Sequence, residues 1–183
     1  VSRLARRVAA CEGTSFGDDT EPTDWYEATY DHPATYERLI GELADTQTER
    51  RSLLEEFFEP TEAEAEQGEK TPTEAHESIA WLVDRGYIDV ILTTNFDQLL
   101  EQALRDRDVN PVVISGEGTA QGAEPLQHQD AVVVKVNGDY KQTNVKNLSS
   151  ELDSYSEPIQ SIIDRVFQEY GLVVCGWSGK YDT

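Results

Sequence analysis

Short apolar runs alternate with amphipathic segments along the second half of the chain. The apolar runs are rich in valine and isoleucine and occupy residues 87–94, 110–115, 131–136 and 172–176. Apolar residues recur at helical spacing over 71–86, 95–106 and 156–171. β-branched strands that alternate with helices predict a parallel sheet covered by helices on both faces. The expected fold class is therefore α/β, with a strand at each of the four apolar runs.

The N-terminal part of the chain follows a different pattern. Residues 1–10 place apolar side chains on one helical face and arginines on the other, which predicts a short amphipathic helix. Residues 12–35 predict a long surface segment with a single helical turn, and residues 36–59 predict one or two helices. Residues 61–71, after Pro60, are expected to form a solvated, mobile acidic connector.

These patterns predict one domain over residues 1–183. It consists of a helical and loop insertion at 12–70 and an α/β core at 71–183. The first helix of the core carries the clearest end signals. Thr71 and Glu74 form a capping-box pattern around Pro72 at the first helical position, and Gly86 supplies the left-handed residue that ends the helix.

The charge of the chain excludes two classes of partner. Fifteen Lys and Arg residues stand against 36 Asp and Glu residues, for a formal net charge of −21. Nucleic-acid binders and proteins that dock on anionic membranes need positive charge to neutralise phosphates, so neither direct nucleic-acid binding nor membrane binding is expected. Acidic residues spread along the whole chain are typical of a protein kept soluble in concentrated salt. We therefore expect a halophilic cytoplasmic protein.

Cysteine usage and the chain ends add further expectations. Cys11 and Cys175 are the only cysteines, without zinc-ligand spacing, and they fit a reducing compartment. No apolar run approaches the ~18 residues of a membrane span, and the N-terminus has no signal-peptide core. The chain has no Met and opens on Val1 in the middle of a pattern, which we interpret as an internal fragment.

Polar clusters follow three of the predicted strands. They are Thr93–Asp97, Asn137-Gly138-Asp139 and Gly176-Trp177-Ser178. Ligands of open parallel sheets bind beyond the carboxyl ends of the strands, so the clusters converge on one crevice if their strands are neighbours. Each cluster also has a purely structural interpretation. Asn137-Gly138 is a strong hairpin signal, Thr94 or Asn95 would serve as a helix cap, and Gly176 would serve as a turn.

Other chemical motifs are absent or weak. The glycines of Ser115–Gly122 do not have dinucleotide-binding spacing, so this stretch is interpreted as a loop. His76 lies on a predicted helix beside apolar residues and is interpreted as a packed contact. His32 and His128 lie in loop-like sequence without a recognisable partner. There is no G-x-S-x-G elbow, no P-loop and no metal-ligand cluster.

Three segments in order resemble the sirtuin family. "TPTEAHESIAWLVDRGYIDVILTTNFDQLLEQAL" resembles its Pro-x-x-Ala-His helix followed by a strand that ends in Thr-x-Asn-x-Asp. "VVVKVNGD" resembles its Lys-x-His-Gly strand end, and "LVVCGWSGKYDT" resembles its Gly-Thr-Ser strand end in a Gly-Trp-Ser form. The resemblance covers residues 71–183. It is strongest to sirtuin-like proteins of bacteria and archaea, which include NAD-hydrolysing domains of antiphage defence systems.

The resemblance implies a Rossmann-like fold with an NAD site. Asn95 would contact the nicotinamide ribose and Asp97 the nicotinamide carboxamide. Gly176 and Ser178 would lie on the phosphate or ribose side, and Thr94 and Gly138 would complete the cofactor-binding set. The family's Gly-Ala-Gly phosphate loop would lie before Val1, and the segment that encloses the adenosine would lie after Thr183. No zinc is expected, because the deacylase zinc module needs two cysteine pairs; deacylation is therefore disfavoured.

Asn137 stands where the family usually has its catalytic histidine. An amide cannot take up a proton near neutral pH, so the general-base role does not carry over to it. Asp139 is the nearest ionisable substitute, or else an ordinary loop carboxylate. The candidate catalytic residues are therefore Asn95, Asn137 and Asp139.

The resemblance leaves three functional interpretations open. The domain cleaves NAD to nicotinamide and ADP-ribose in a defence-type context, or it is a catalytically silent sensor of NAD or ADP-ribose, or it is an interaction scaffold with an empty crevice. An effector or sensor domain, or a second copy of the chain, would be its partner.

Overall fold

A computed structural model describes residues 1–16, 20–141 and 155–176, with only the backbone of Glu37. Along the chain the helices of its N-terminal part are α1 (Ser2–Cys11), α2 (Pro22–Tyr30), α3 (Tyr36–Leu43), α4 (Gln47–Phe58) and α5 (Glu62–Glu66). The remaining elements are α6 (Glu74–Asp84), β1 (Val90–Thr93), α7 (Leu99–Arg105), β2 (Val112–Ile114), α8 (Glu117–Gln121), a 3-10 turn (Leu126–His128), β3 (Val132–Lys135) and α9 (Glu157–Glu169).

The described strands form a three-stranded parallel sheet in the order β1-β3-β2. Val132 of β3 is in register with Val90 of β1 and with Val112 of β2. The central strand β3 is buried along its whole length. One face of the sheet packs on α9, and the other packs on α6 and α7. This confirms the α/β prediction of a Rossmann-like parallel sheet with helices on both faces.

The fourth predicted strand, at residues 172–176, is wrong for the described structure. Residues 171–175 belong to no strand, and Leu172, Val173 and Val174 are exposed, with Val173 at 83%. Their apolar, β-branched composition favours a strand, but a strand requires a neighbour for its backbone hydrogen bonds. Among the described residues, β1 and β2 pair only with β3, and neither reaches this segment.

The N-terminal helices form a second core, which we call the helical cluster. It is built around buried side chains from α1 to α4 together with Tyr140 from the α/β part. The predicted surface segment at 12–35 contains α2, a helix of nine residues with a fully buried Tyr26. The prediction missed α2 because only Pro22 and Tyr26 of this helix are buried, which leaves little periodicity to detect.

The acidic connector is solvated as predicted, but it is also held in place. Its short helix α5 buries no residue and begins with a capping box between Thr61 and Glu64. Lys70 then donates to the carbonyl oxygens of Glu56 and Glu59 and to the Glu64 carboxylate, at 2.9–3.1 Å. The prediction of a mobile connector therefore misses this anchor. An isolated lysine in acidic sequence gave no signal for it.

The helix before β1 begins two residues later than predicted. Glu74 is its first residue, and its cap is formed by Thr73 and His76, whose Nδ1 accepts from the Thr73 backbone amide at 3.1 Å. The Thr71 hydroxyl instead donates to the Gly68 carbonyl oxygen. His76 thus makes a contact between the helix and the preceding loop, as predicted, and it does so as a capping residue. Gly86 has φ of +69° after the last turn, as predicted for the left-handed stop.

Candidate functional site

The loop after β1 leaves Thr94 and Asn95 available to a ligand. Both residues are exposed, and α7 begins only at Leu99. Gln98 occupies the N-cap position of α7 without a side-chain cap bond, and the Leu99 amide donates to Oδ1 of Asp97 at 3.1 Å. The interpretation of Thr94 or Asn95 as the helix cap is therefore wrong. The second carboxylate oxygen of Asp97 takes no part in this hydrogen bond.

After β3 the chain makes a tight turn, in which the Gly138 amide donates to the Lys135 carbonyl oxygen at 3.1 Å, but this turn is not a hairpin. A two-residue hairpin of the Asn-Gly kind needs positive φ at both central residues. Gly138 has φ of +93°, whereas Asn137 does not have a positive φ. The chain continues into Tyr140, which is buried in the helical cluster. The hairpin interpretation of Asn137-Gly138 is therefore wrong.

The polar clusters after β1 and β3 converge. The two strands are neighbours, with Thr93 in register with Lys135. Asn137 Nδ2 donates to the Thr94 carbonyl oxygen at 3.3 Å, and the Tyr140 amide donates to the Phe96 carbonyl oxygen at 3.2 Å. These two hydrogen bonds join the loop after β1 to the loop after β3. Two of the three predicted clusters therefore lie together.

The third cluster is only partly described. Gly176 has φ of +70°, which agrees with a turn after an extended segment. Trp177 and Ser178 lie outside the described residues. Their predicted roles stay predictions.

Asn137 carries an unsatisfied acceptor at this site. The residue is only 8% exposed, and its Nδ2 is used by the Thr94 carbonyl. Within the described part of the chain, its Oδ1 is buried without a hydrogen-bond partner. Buried polar atoms are usually paired, so an orphan acceptor beside two exposed polar residues indicates a place for a donor such as a ligand hydroxyl, a ligand amide or a water.

Asp139 is bound on every side. Its Oδ2 lies 2.7 Å from Lys135 Nζ, and its two oxygens accept from Gln98 Nε2 at 3.0 and 3.2 Å. The Lys141 amide donates to Oδ1 at 2.9 Å. A carboxylate held in this way has few lone pairs left for a substrate proton. The geometry therefore favours the structural interpretation of Asp139 over the general-base one.

Lys135 lies at the centre of a buried charged network. Its ammonium is fully buried and contacts Asp139, Glu101 Oε1 at 2.9 Å, the Phe96 carbonyl oxygen at 3.2 Å and the Asp97 carbonyl oxygen. The Glu101 contact is an ion pair without the geometry of a directed hydrogen bond. The sequence analysis missed this role of Lys135, although a lysine inside an apolar strand, four residues before an aspartate, is a usable signal.

The end of β2 contributes another buried polar group that the sequence analysis passed over. Ser115 is buried, and among the described residues its Oγ has no hydrogen-bond partner. The stretch interpreted as a loop contains the short helix α8, whose Thr119 Oγ1 accepts from the amides of Ser115 and Gly116 at 3.0 Å. β2 neighbours β3, so Ser115 lies at the same edge of the sheet as Asn137.

The helical cluster forms a neutral aromatic wall beside the site. Tyr36 stacks on Phe96 with ring centroids 6.1 Å apart, and burial raises the pKa of its phenol. Burial also raises the pKa of Tyr140, assisted by a 3.0 Å hydrogen bond from its hydroxyl to Glu59 Oε1. Lys141 and this hydroxyl together lower the pKa of Glu59. Both phenols therefore stay protonated across the physiological range.

The described structure defines an α/β protein with a polar site at the carboxyl ends of neighbouring parallel strands. A family model of the SIR2-like domain matches residues 89–182, which include β1, β3 and both converging loops. The chain belongs to this family, and family membership implies an NAD-related ligand. No curated protein matches the chain. Among the described residues, there is no group of three or more His, Cys, Asp or Glu that would hold a metal ion. None of the described helices is long and apolar enough to cross a membrane.

Proposed function

We propose that this domain binds NAD at the ends of β1 and β3 and cleaves the bond between nicotinamide and ribose. The observation that carries the proposal is the buried Asn137 amide, which ties the two loops together next to the exposed Thr94 and whose Oδ1 has no partner among the described residues. Ribose hydroxyls and the nicotinamide amide are donors that suit such an acceptor. Membership of the SIR2-like family supports NAD as the ligand.

The proposed binding residues divide by the part of NAD that they would meet. Asn95 would bind the nicotinamide ribose, and the second Asp97 oxygen would accept from the carboxamide. Gly138, Gly176 and Ser178 would lie against the ribose and pyrophosphate, where small residues permit close approach of the backbone. The hydroxyl of Thr94 would complete the set of proposed binding groups.

The proposed reaction asks little proton transfer of the protein. The bond between the ribose carbon and the nicotinamide nitrogen breaks, nicotinamide leaves as a neutral molecule with the bonding electron pair, and water adds to the oxocarbenium-like ribose carbon. The proton of that water goes to solvent, and the products are nicotinamide and ADP-ribose. Orientation of the ribose and the water is then the main contribution of the site, chiefly through Asn95. Turnover is expected to be slow, because Asn137 is not a base and Asp139 is engaged by Lys135.

The second candidate function is a catalytically silent sensor of NAD or ADP-ribose. The same two facts favour it: an amide at the position of the usual histidine, and an aspartate locked in an ion pair. In this interpretation the bound nucleotide sets the state of a partner domain or a second copy of the chain. A role in antiphage defence belongs to the proposal in either form.

The test separates binding from cleavage. Full-length protein is incubated with NAD in concentrated salt, and free nicotinamide and protein-bound nucleotide are measured separately. Released nicotinamide supports the enzyme, bound intact nucleotide without release supports the sensor, and neither signal overturns both.

The matched variants are Asn95→Ala and Asn110→Ala. Asn95→Ala should weaken binding or turnover by about 1–3 kcal/mol, because it removes a hydrogen-bonding partner of the ligand. Asn110 is equally exposed but precedes β2 at the opposite edge of the sheet, so its substitution should change neither quantity. Equal behaviour of the two folded variants would contradict the assignment of Asn95.

A further inference from the structure

Lys135 joins both loops of the proposed NAD site to helix α7. Its fully buried ammonium meets four oxygens: the carbonyls of Phe96 and Asp97, Oδ2 of Asp139 and Oε1 of Glu101 on α7. Two of these oxygens belong to the backbone that carries Asn95 and Asp97. These contacts therefore restrain the position of the loop backbone, in addition to neutralising the buried carboxylates.

The other bonds that restrain this loop are made by neutral groups, namely the Asn137 amide on the Thr94 carbonyl and the Tyr140 amide on the Phe96 carbonyl. Between the end of β1 and the start of α7, Thr94 and Asn95 are exposed, and the Phe96 carbonyl is shared between Lys135 and the Tyr140 amide. Without a donor at Lys135, the Asp97 carbonyl would lose a buried charged partner, which costs more than an ordinary hydrogen bond. The backbone at 96–97 would then be held to the loop after β3 mainly by the Tyr140 amide and by Asn137, and its position relative to β3 would be less restrained.

We propose that Lys135 is a positioning residue, whose ammonium fixes the backbone at Phe96 and Asp97 and thereby sets the geometry with which Asn95 and Asp97 meet the ligand. The inference rests on the proposed function for the identity of that ligand, NAD. The alternative is that Lys135 only neutralises the buried carboxylates of Glu101 and Asp139, a role that would be purely structural.

A triple variant separates these roles. Lys135→Met alone leaves two buried carboxylates without a counter-ion, and such a protein is at risk of not folding. Lys135→Met combined with Glu101→Gln and Asp139→Asn keeps all three shapes and removes all three charges. Gln98 and the Lys141 amide still find an acceptor on the new asparagine, so the triple variant lacks mainly the donor to the two loop carbonyls.

Two control variants isolate the effect of the ammonium. Asp139→Asn keeps Lys135 paired with Glu101, so losses that the triple variant shows beyond those of Asp139→Asn do not come from the aspartate. Lys70→Met removes a lysine that also donates to two carbonyls and one carboxylate, but in the acidic connector. It tests whether the loss of any such anchor has the same effect.

Two readouts are measured on the full-length protein. The first is hydrogen exchange of the Leu99 and Tyr140 amides without ligand, since both amides donate to the loop. The second is the dissociation constant of NAD. In the triple variant we expect exchange of these amides to accelerate on the order of tenfold, and NAD to bind on the order of tenfold more weakly, with unchanged exchange in β2 and α9. Asp139→Asn should change both readouts less than the triple variant does, and Lys70→Met should leave both near those of the unmodified protein.

The outcomes decide the inference separately from the proposed function. Native exchange and native NAD affinity in the triple variant would show that Lys135 only neutralises charge and would overturn the positioning role. Faster exchange with unchanged NAD affinity would also overturn it. If the unmodified protein binds no NAD, the proposed function fails, whereas the exchange of Leu99 and Tyr140 still decides whether Lys135 fixes the loop. A triple variant that does not fold at all would overturn the view that the three charges are dispensable once removed together.

Discussion

Replacement of Asn137 by histidine should restore a general base to the site. Asn137 Nδ2 already donates to the Thr94 carbonyl oxygen at 3.3 Å, and Oδ1 has no partner among the described residues. A histidine whose Nδ1–H donates to the same carbonyl would have its Nε2 unprotonated and directed away from that bond, as a base requires. The hydrogen bond that fixes the tautomer is thus provided by the backbone.

A positioned general base contributes about 10²–10⁴-fold, or ~3–5 kcal/mol of transition-state stabilisation. Nicotinamide release by Asn137→His should therefore exceed that of the unmodified protein by up to this factor. The gain should appear as pH rises through ~6.5, because only the neutral imidazole accepts a proton. Asn137→Ala is the reference variant, and its release should stay close to that of the unmodified protein, since Asn137 acts only by orienting ribose or water.

Single-turnover release of nicotinamide is the appropriate measurement, with NAD binding checked in each variant. No gain in Asn137→His despite retained NAD binding would refute the reasoning about the lost base. Fast release by the unmodified protein that collapses in Asn137→Ala, with binding intact, would show that Asn137 is itself catalytic.

Three further predictions concern charge. Asp139→Asn should retain nicotinamide release and lower the free energy of unfolding by about 1.5–3 kcal/mol. Lys135→Met should lower it by more, ~3–5 kcal/mol, because it leaves two buried carboxylates without a counter-ion. Loss of release with binding intact, or the reverse order of stability, would contradict the structural role of Asp139. The melting temperature should rise with KCl, because the Debye length shrinks from ~30 Å at 0.01 M to ~3 Å at 1 M and screens the −21 formal charge; a flat curve would refute the halophile interpretation. The Thr61 amide, followed by Lys70, lowers the pKa of Glu64 from 4.5 to about 2, so its stabilisation is complete above pH 4.5 and disappears as pH falls toward 2. The stability difference between the unmodified protein and Glu64→Gln should therefore vanish over that interval, and a constant difference would contradict this linkage.

The sequence predicted the elements whose signals are strong and local. Apolar runs rich in valine and isoleucine became β1, β2 and β3, and the positive φ of Gly86 followed from the end of a periodic helix. Convergence of the clusters at Asn95 and Asn137 followed from strand adjacency, which parallel topology makes a reasonable expectation. The strands and the helix end depend on patterns that a single segment contains, whereas the convergence also depends on which strands are neighbours.

The errors arise where a feature depends on a residue distant in the chain, or where two nearby residues could fill the same structural role. Thr71 and Thr73 both offer a capping hydroxyl, and only the positions of Gly68 and His76 decide between them. The apolar segment at 172–176 has strand composition, but pairing depends on a neighbour that its own residues do not encode. The burial of Lys135 likewise depends on Glu101 in α7, 34 positions earlier in the chain.

Tyr140 connects the site to the helical cluster through hydrogen bonds and ring packing. Its amide donates a hydrogen bond to the Phe96 carbonyl oxygen, and its hydroxyl donates to the carboxylate of Glu59 just after α4. Its ring packs against Phe58, with the ring centroids 5.4 Å apart. A ligand that displaces the loop at Phe96 would therefore act on α4 through one side chain. Thermodynamic linkage makes such a connection reciprocal: a contact that shifts α4 must alter ligand affinity by the same factor by which the ligand alters that contact. A surface remote from the strand ends would thereby act as a regulator of occupancy without touching the nucleotide.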